Sequence, residues 1–88
     1  MIEKKVKIVN RAGLHTRPAA TIVKIAAKYK SEFHISKDGF RINGKSIIGV
    51  MTLAAEIGSE LLLTFDGEDE IFMAEEISSY ISRGFDEP

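Results

Sequence analysis

The residues best suited to chemistry lie in one stretch, Ala12–Ala20, which places a histidine, an arginine and a proline close together. Pro18 is typical of the first turn of a helix, where a missing N–H group costs little because first-turn N–H groups have no intrahelical partner. The N–H groups of Thr16 and Arg17 are then free, at the helix end where the dipole attracts anions. His15 and Arg17 therefore stand at the mouth of an expected anion site.

A histidine at such a helix end is suited to accept a phosphoryl group. Histidine is a nucleophile when neutral, its ordinary pKa is ~6.5, and a helix N-terminus disfavours the cation. The two N–H groups and the Arg17 guanidinium can bind phosphoryl oxygens, with a dipole contribution of order 0.3–1 kcal/mol. The same pattern also fits a helix junction whose histidine has no role, so both interpretations are open on the residues alone.

Composition argues against several other classes of protein. The 88 residues carry a net charge of −1, which gives no basic field to hold nucleic acid or an anionic membrane. With no cysteine and two histidines far apart in sequence, disulfides and thiolate metal sites are excluded, and we expect neither a metal nor a cofactor. No apolar run approaches the ~20 residues of a membrane span, and no signal peptide is evident. We expect one cytoplasmic domain over residues 1–88.

Hydrophobic periodicity predicts seven elements in the order β-α-β-β-α-β-α. The predicted strands are 2–9, 32–37, 40–43 and 60–65, and the predicted helices are 16–30, 47–55 and about 69–83. Asp38-Gly39 is a strong signal for a two-residue hairpin turn. Each strand has one apolar face, so we expect helices to cover one side of the sheet. The pattern does not fix strand order and allows a ferredoxin-like split βαβ or a related arrangement.

Several residues outside this stretch have both a structural and a functional interpretation. Ser46 fits the N-cap of the second predicted helix. That helix has two apolar stripes, and being short it should leave one exposed, either as a docking surface or as ordinary wet surface. The first helix carries a small-residued stripe, continuous with Arg17, that suits either solvent or a partner. The apolar stripes are Val50, Leu53, Ala54 and Ile57, and Ile47, Ile48, Met51 and Ala55; the small-residued stripe is Ala20, Lys24 and Ala27.

Three other residues have no functional interpretation. His34 should lie on the face opposite Phe33 and Ile35, at the surface and without a role. Ile71 and Phe72 fall off the apolar stripe of the last helix, and the pattern gives no reason for them.

Two motifs in the chain are Gly-Leu-His-Thr-Arg-Pro-Ala at residues 13–19 and Gly-Lys-Ser-Ile-Ile-Gly-Val-Met at residues 44–51. Together they resemble the HPr family, the histidine-containing phosphocarriers of the phosphoenolpyruvate-dependent sugar phosphotransferase system, and the resemblance covers the whole chain. It implies an α+β fold, an open-faced β-sandwich of four antiparallel strands in the order 1-4-2-3 with three helices on one face. It also implies a monomeric carrier and not an enzyme, with no nucleic acid and no membrane among its partners.

The resemblance implies roles for individual residues. His15 takes a phosphoryl group on Nδ1 from phosphorylated enzyme I and passes it to IIA domains of sugar permeases, with Arg17 attending. The N–H groups of Thr16 and Arg17 would bind the phosphate, as the helix-end pattern predicts. Ser46 matches a regulatory serine, the target of HPr kinase/phosphorylase. The implied partner-binding patch is Ile47, Ile48 and Met51, to which the stripe Ala20, Lys24 and Ala27 is added.

The chain also departs from the family pattern. Ala12 stands where many members carry a serine or an asparagine that can reach the histidine. Residues 82–87 are similar to the nitrogen-related branch, which uses the relay for regulation, whereas residues 44–51 are similar to carriers under kinase control. The alternative is therefore a regulatory phosphorelay or binding module that is not dedicated to sugar transport.

Overall fold

The computed structural model describes residues 1–87, and Pro88, the last residue of the predicted domain, lies outside them. The element order is the predicted one, with a short 3₁₀ turn added after the last helix. The elements are β1 (Ile2–Lys7), α1 (Thr16–Ala26), β2 (Glu32–Lys37), β3 (Phe40–Asn43), α2 (Ile47–Thr52), β4 (Glu60–Asp66), α3 (Glu70–Ser82) and the 3₁₀ turn Gly84–Asp86.

The four strands form one antiparallel sheet in the order β1-β4-β2-β3. The register places Phe33 of β2 opposite Phe65 of β4, and their rings stack with centroids 4.9 Å apart. The fold is therefore α+β with the strand order 1-4-2-3, which the resemblance implied and which periodicity alone left open.

The core lies between the apolar face of the sheet and the helices. Leu61, Leu63 and Phe65 alternate along β4 and are almost completely buried, as the period-two pattern predicts. The buried face of α3 is its apolar stripe, which consists of Met73, Ala74, Ile77, Tyr80 and Ile81. Ile71 and Phe72 are instead exposed, by 68% and 70%. Within residues 1–87, no helix is both long enough and apolar enough to cross a membrane.

The hairpin predicted at Asp38-Gly39 is confirmed, since both residues have positive φ angles, 51° and 82°, as in a type I′ turn. His34 lies on the outer face of the sheet as predicted, and it is partly buried there between its neighbours on β3 and β4, Asn43 and Thr64.

Two elements end earlier than predicted because the residues that follow them form hydrogen bonds with other parts of the chain. β1 ends at Lys7 because Ile8 exchanges backbone hydrogen bonds with the Gly58-Ser59 turn and not with β4. α1 ends at Ala26 and not at residue 30. The chain leaves the helix through i→i−3 bonds at residues 28 and 29, and the Asp69 carboxylate then accepts the N–H groups of residues 30 and 31.

The second helix is also shorter than predicted, and this changes its apolar stripes. α2 ends at Thr52, and Ala54 then adopts a left-handed φ of 48°, which breaks the helical period. The prediction is therefore wrong for Ile57, which is 56% exposed although it was grouped with the buried Val50 and Leu53, and for Ala54, which is exposed as well. Ala55, grouped with the exposed stripe, is buried for the same reason.

Candidate functional site

His15 is the N-cap residue of α1, with an extended backbone (φ −92°, ψ −173°). Its carbonyl accepts the N–H of Ala19 at 3.0 Å, and its side chain is 40% exposed. Among the hydrogen bonds found within residues 1–87, none uses the backbone N–H of Thr16 or Arg17. The helix end therefore has a partly exposed histidine and the two unused N–H groups that the position of Pro18 predicts.

The loop that carries His15 is fixed to the segment that follows α2. The N–H of Leu14 donates to the carbonyl of Ala55 at 2.9 Å, and Leu14 itself is buried. Gly13 has a φ of +72°, and a Cβ at this position would lie only 2.6 Å from the Ala55 oxygen. Glycine is therefore required here both for the positive φ and for the close approach of the two backbones.

Two residues that the sequence did not single out complete the site. Nε2 of His15 lies 2.8 Å from Oε2 of Glu87, and Asn10 Nδ2 donates to Oε1 of the same carboxylate at 2.9 Å. Asn10 Nδ2 also donates to the carbonyl of Gly13 at 2.9 Å, and Asn10 is almost completely buried. The carboxylate thus connects the histidine to the loop that precedes it.

The electrostatics of the site favour an ionised Glu87. Partial burial raises the pKa of its carboxyl group, but the hydrogen bonds from Asn10 and His15, with the charges of His15 and Arg17, outweigh burial and hold the pKa below its usual value. Glu87 is consequently a carboxylate at neutral pH.

Arg17 is exposed and lies beside the same carboxylate. It lines an open depression of about 460 Å³ together with Thr21, Tyr80 and the tail residues Phe85, Asp86 and Glu87. Among the ion pairs within residues 1–87, none involves the Arg17 guanidinium. The guanidinium is thus available near the helix end where the N–H groups lie.

Sequence signals for Asn10 and Glu87 are weak, for a physical reason. The turn pattern of residues 10–13 places Asn10 in a loop but says nothing about a partner 77 residues away. Gly84, which follows the C-cap of α3, has a φ of 68°, and a glycine at this C′ position is a sequence signal for a chain reversal. Phe85 is an apolar residue of the kind that often follows a C′ glycine, and it packs against Tyr80 as that motif predicts. No local pattern indicates that the tail then passes Asn10 and His15.

Ser46 is the N-cap of α2, as predicted. Its Oγ accepts the N–H of Gly49 at 3.1 Å, and its own side chain remains partly exposed. The side chain of Lys45, next to it, donates to the carbonyl of Tyr29 at 2.8 Å and so connects the start of α2 to the segment that follows α1.

The predicted partner patch is exposed on both helices, and α1 packs against α2. On α2 the exposed fractions are 40% for Ile47, 76% for Ile48 and 38% for Met51. On α1 and its C-cap the exposed stripe is Ala20, Lys24 and Ala27. Within residues 1–87, no cluster of three or more His, Asp or Glu side chains is placed to hold a metal ion. Ala12 is exposed and offers no polar side chain to the site.

Comparison with known proteins identifies the family of the chain. Residues 2–83 match the family model described as "PTS HPr component phosphorylation site". The chain is 44% identical to phosphocarrier protein HPr of Treponema pallidum over 87 residues, 99% of each chain. It is 40% identical to the HPr-like protein Crh of Bacillus subtilis over 83 residues, 94% of this chain and 98% of Crh.

A solved structure gives the same result in three dimensions. The crystal structure of HPr-C-His from Thermoanaerobacter tengcongensis superposes with a TM-score of 0.95 at 36% identity, covering 100% of this chain and 99% of that one. A carrier and a Crh protein are similarly close in sequence, so identity alone does not distinguish their roles. The family model and the full-length identity show that the chain belongs to the HPr family of the phosphotransferase system, as a phosphocarrier and not a catalyst.

Proposed function

We propose that this chain accepts a phosphoryl group on Nδ1 of His15 from phosphorylated enzyme I and passes it to IIA domains of sugar permeases. Family membership implies these partners. The single observation that best supports the proposal is the position of His15 as a partly exposed N-cap, next to two N–H groups without partners within residues 1–87. An exposed junction suits a carrier, because both the donor protein and the acceptor protein must reach the same atom.

In this proposal the phosphoryl oxygens bind to the N–H groups of Thr16 and Arg17 and to the Arg17 guanidinium. The helix dipole contributes of order 0.3–1 kcal/mol at an exposed site, and hydrogen bonds to an anion are stronger than neutral ones. Residue 12 contributes nothing, since Ala12 has no polar side chain. The modest stabilisation suits a group that must be passed on.

The proposal is tested by phosphorylation with enzyme I and phosphoenolpyruvate, using the two histidines as a matched pair. His15→Ala should abolish acid-labile label, while His34→Ala, a half-buried histidine on the outer face of the sheet, should accept label as wild type does. Label that persists on His15→Ala would overturn the assignment. Arg17→Ala should slow transfer with an unchanged circular dichroism spectrum.

The exposed surface of α1 and α2 supports a second part of the proposal, the docking of partners. We assign it to the two exposed sets on these helices, Ala20, Lys24 and Ala27 and Ile47, Ile48 and Met51. Exposed isoleucine and methionine side chains beside a helix cap are suited to transient protein contacts. We further propose that the chain acts in the cytoplasm as a monomer.

A regulatory role at Ser46 is the second candidate function, because its hydroxyl is partly exposed at a helix end bordered by this apolar surface. Phosphorylation by a kinase of the HPr kinase/phosphorylase type would add about −1.5 to −2 charges there. The charge suits the helix N-terminus but changes the adjoining surface, so exchange with enzyme I should weaken. A module of this kind need not be dedicated to sugar transport.

Charge at Ser46 can be separated from charge elsewhere on α2 with two variants. Ser46→Asp places a carboxylate at the N-cap, and Thr52→Asp places one at the exposed last residue of the same helix. Slower phosphorylation by enzyme I in Ser46→Asp alone supports regulation at this position. Equal rates for Ser46→Asp and wild type would contradict it.

A further inference from the structure

We propose that Glu87 is a positioning residue for His15, whose carboxylate holds the imidazole in the tautomer that leaves Nδ1 as the nucleophile. The inference rests on the proposed function and adds to it a residue outside both motifs of the family resemblance. Its basis is a continuous chain of contacts from Asn10 through Glu87 to His15, with N–O distances of 2.9 and 2.8 Å.

The tautomer follows from what each group can donate. A carboxylate only accepts hydrogen bonds, so the His15 nitrogen 2.8 Å from Glu87 Oε2 must carry the hydrogen. A neutral imidazole has one N–H group, and with Nε2 protonated the lone pair is on Nδ1. The lowered pKa of Glu87 is consistent with an ionised acceptor.

Asn10 fixes the orientation of the carboxylate. Its Nδ2 faces two acceptors, the Gly13 carbonyl and Oε1 of Glu87, so a reversed amide would place oxygen against oxygen at both contacts. Asn10 is 3% exposed, and its Oδ1 has no hydrogen-bond partner within the described residues. A buried acceptor without a hydrogen-bond partner destabilises the fold. Since Asn10 keeps this orientation, its hydrogen bonds to Gly13 and Glu87 must outweigh the cost of the unpaired Oδ1.

The tail that carries Glu87 is held by packing and not only by this contact. The chain reverses at Gly84, and Phe85 packs against Tyr80 with ring centroids 5.4 Å apart, leaving Phe85 only 4% exposed. The N–H of Glu87 donates to the Gly84 carbonyl at 3.1 Å. The carboxylate is therefore brought to His15 by an ordered turn, as a positioning group requires.

The chemical step is balanced without any further reactant. The Nδ1 lone pair forms the bond to phosphorus, and the bond from phosphorus to the donor breaks with its electron pair going to the donor. The proton stays on Nε2, so the phosphorylated ring is cationic, and it faces the Glu87 carboxylate. On transfer to an acceptor the P–Nδ1 bond breaks and its electrons return to the ring, which is neutral again with its proton still on Nε2.

Substitution of Glu87 by glutamine should reverse the preferred tautomer of His15 and not merely weaken the preference. Asn10 Nδ2 would still require the carbonyl oxygen of Glu87→Gln, which turns the new NH₂ group toward His15 Nε2. Nε2 must then accept, so the hydrogen moves to Nδ1 and blocks the nucleophile. Glu87→Ala removes the contact and leaves the tautomer free to distribute. Asp86→Asn removes the same charge one residue away, where the carboxylate pairs with Arg83 at 2.8 Å.

The test combines ring ¹⁵N chemical shifts of His15, measured near pH 9 where histidine is neutral, with two phosphorylation rates. One rate uses phosphorylated enzyme I and the other uses phosphoramidate, a small-molecule donor. We expect Nε2–H in wild type and Asp86→Asn, and Nδ1–H in Glu87→Gln. The rate in Glu87→Gln should fall roughly 10- to 100-fold, the factor that one hydrogen bond to a charged group gives in an equilibrium. The phosphorylation rate of Glu87→Ala should lie between those of wild type and Glu87→Gln.

Two results would overturn the inference. One is the wild-type tautomer and rates in Glu87→Gln, and the other is an equal loss in Asp86→Asn, which would reduce the effect to net charge. Failure of the proposed function has a different signature. Enzyme I would then not label wild type, while the ¹⁵N shifts and the phosphoramidate rates would still report whether Glu87 sets the tautomer.

Discussion

Replacing Gly13 by alanine should destabilise the protein well beyond the same substitution at Gly39. Both glycines have positive φ angles, 72° and 82°, so both variants should lose about 1–2 kcal/mol from left-handed backbone strain. At Gly39 the new Cβ meets nothing within 4 Å, whereas at Gly13 it would lie 2.6 Å from the Ala55 carbonyl. Relief of this clash must separate the two backbones and break the Leu14–Ala55 hydrogen bond, leaving a buried N–H group unpaired at about 1–3 kcal/mol.

Equilibrium unfolding in urea, followed by far-ultraviolet circular dichroism, measures the difference directly. With a urea dependence of about 1 kcal/mol per molar for so small a chain, the midpoint of Gly13→Ala should lie ~1–3 M below that of Gly39→Ala. Gly58→Ala is a second control, since its φ is 90° and its Cβ also meets nothing within 4 Å. If the midpoints of Gly13→Ala and both controls coincide, the close contact between the His15 loop and the segment that follows α2 does not contribute to stability, and the expected clash is refuted.

Three further comparisons between variants test other parts of the fold. Hydrogen bonds from Ser31 and Lys30 lower the pKa of Asp69 to about 2. The ionised carboxylate therefore contributes its full stabilisation above the unfolded pKa of 3.8, and this contribution is lost as the pH falls toward 2. In acid titrations, the free energy of unfolding of Asp69→Asn should fall less steeply over that range than that of wild type. Ser46→Ala should cost about 0.5–2 kcal/mol and speed amide hydrogen exchange at Gly49, whereas Ser46→Asn, which keeps a capping oxygen, should not. Ile48→Ala should change the free energy of unfolding by less than about 0.5 kcal/mol yet slow exchange with enzyme I, while Ile22→Ala, in the core, should cost about 2–5 kcal/mol.

The sequence predicts well those parts of the fold that depend on local periodicity. β4 and α3 follow from the spacing of their apolar residues, because each element has one face against the core along its whole length. The hairpin at Asp38-Gly39 and the cap at Ser46 follow from backbone chemistry that one or two residues determine. Strand order was available only from the family resemblance, because the apolar pattern of a strand does not indicate which other strand it pairs with.

The failures occur where distant contacts override the local pattern. The reversal at Ala54 is a left-handed turn without a glycine, so nothing in the sequence predicts that α2 ends at Thr52. The candidate site was predicted at His15 and Arg17, whose role belongs to a helix end, but not at Glu87, whose contact with His15 spans 72 residues. A charged residue near the end of a sequence most often reads as solvated, and only tertiary packing distinguishes this one.

The proximity of Glu87 to His15 has a practical consequence for handling the protein. An affinity tag or fusion partner appended after residue 88 would begin within two residues of the carboxylate that contacts the imidazole. A polyhistidine tag in that place would bring additional imidazoles close to the residue whose labelling is to be measured. Met1 is 71% exposed and precedes β1, so added sequence at that end is joined to a different element of the fold. Measurements on His15 are therefore best made with the tag before Met1, or with a tag that is removed.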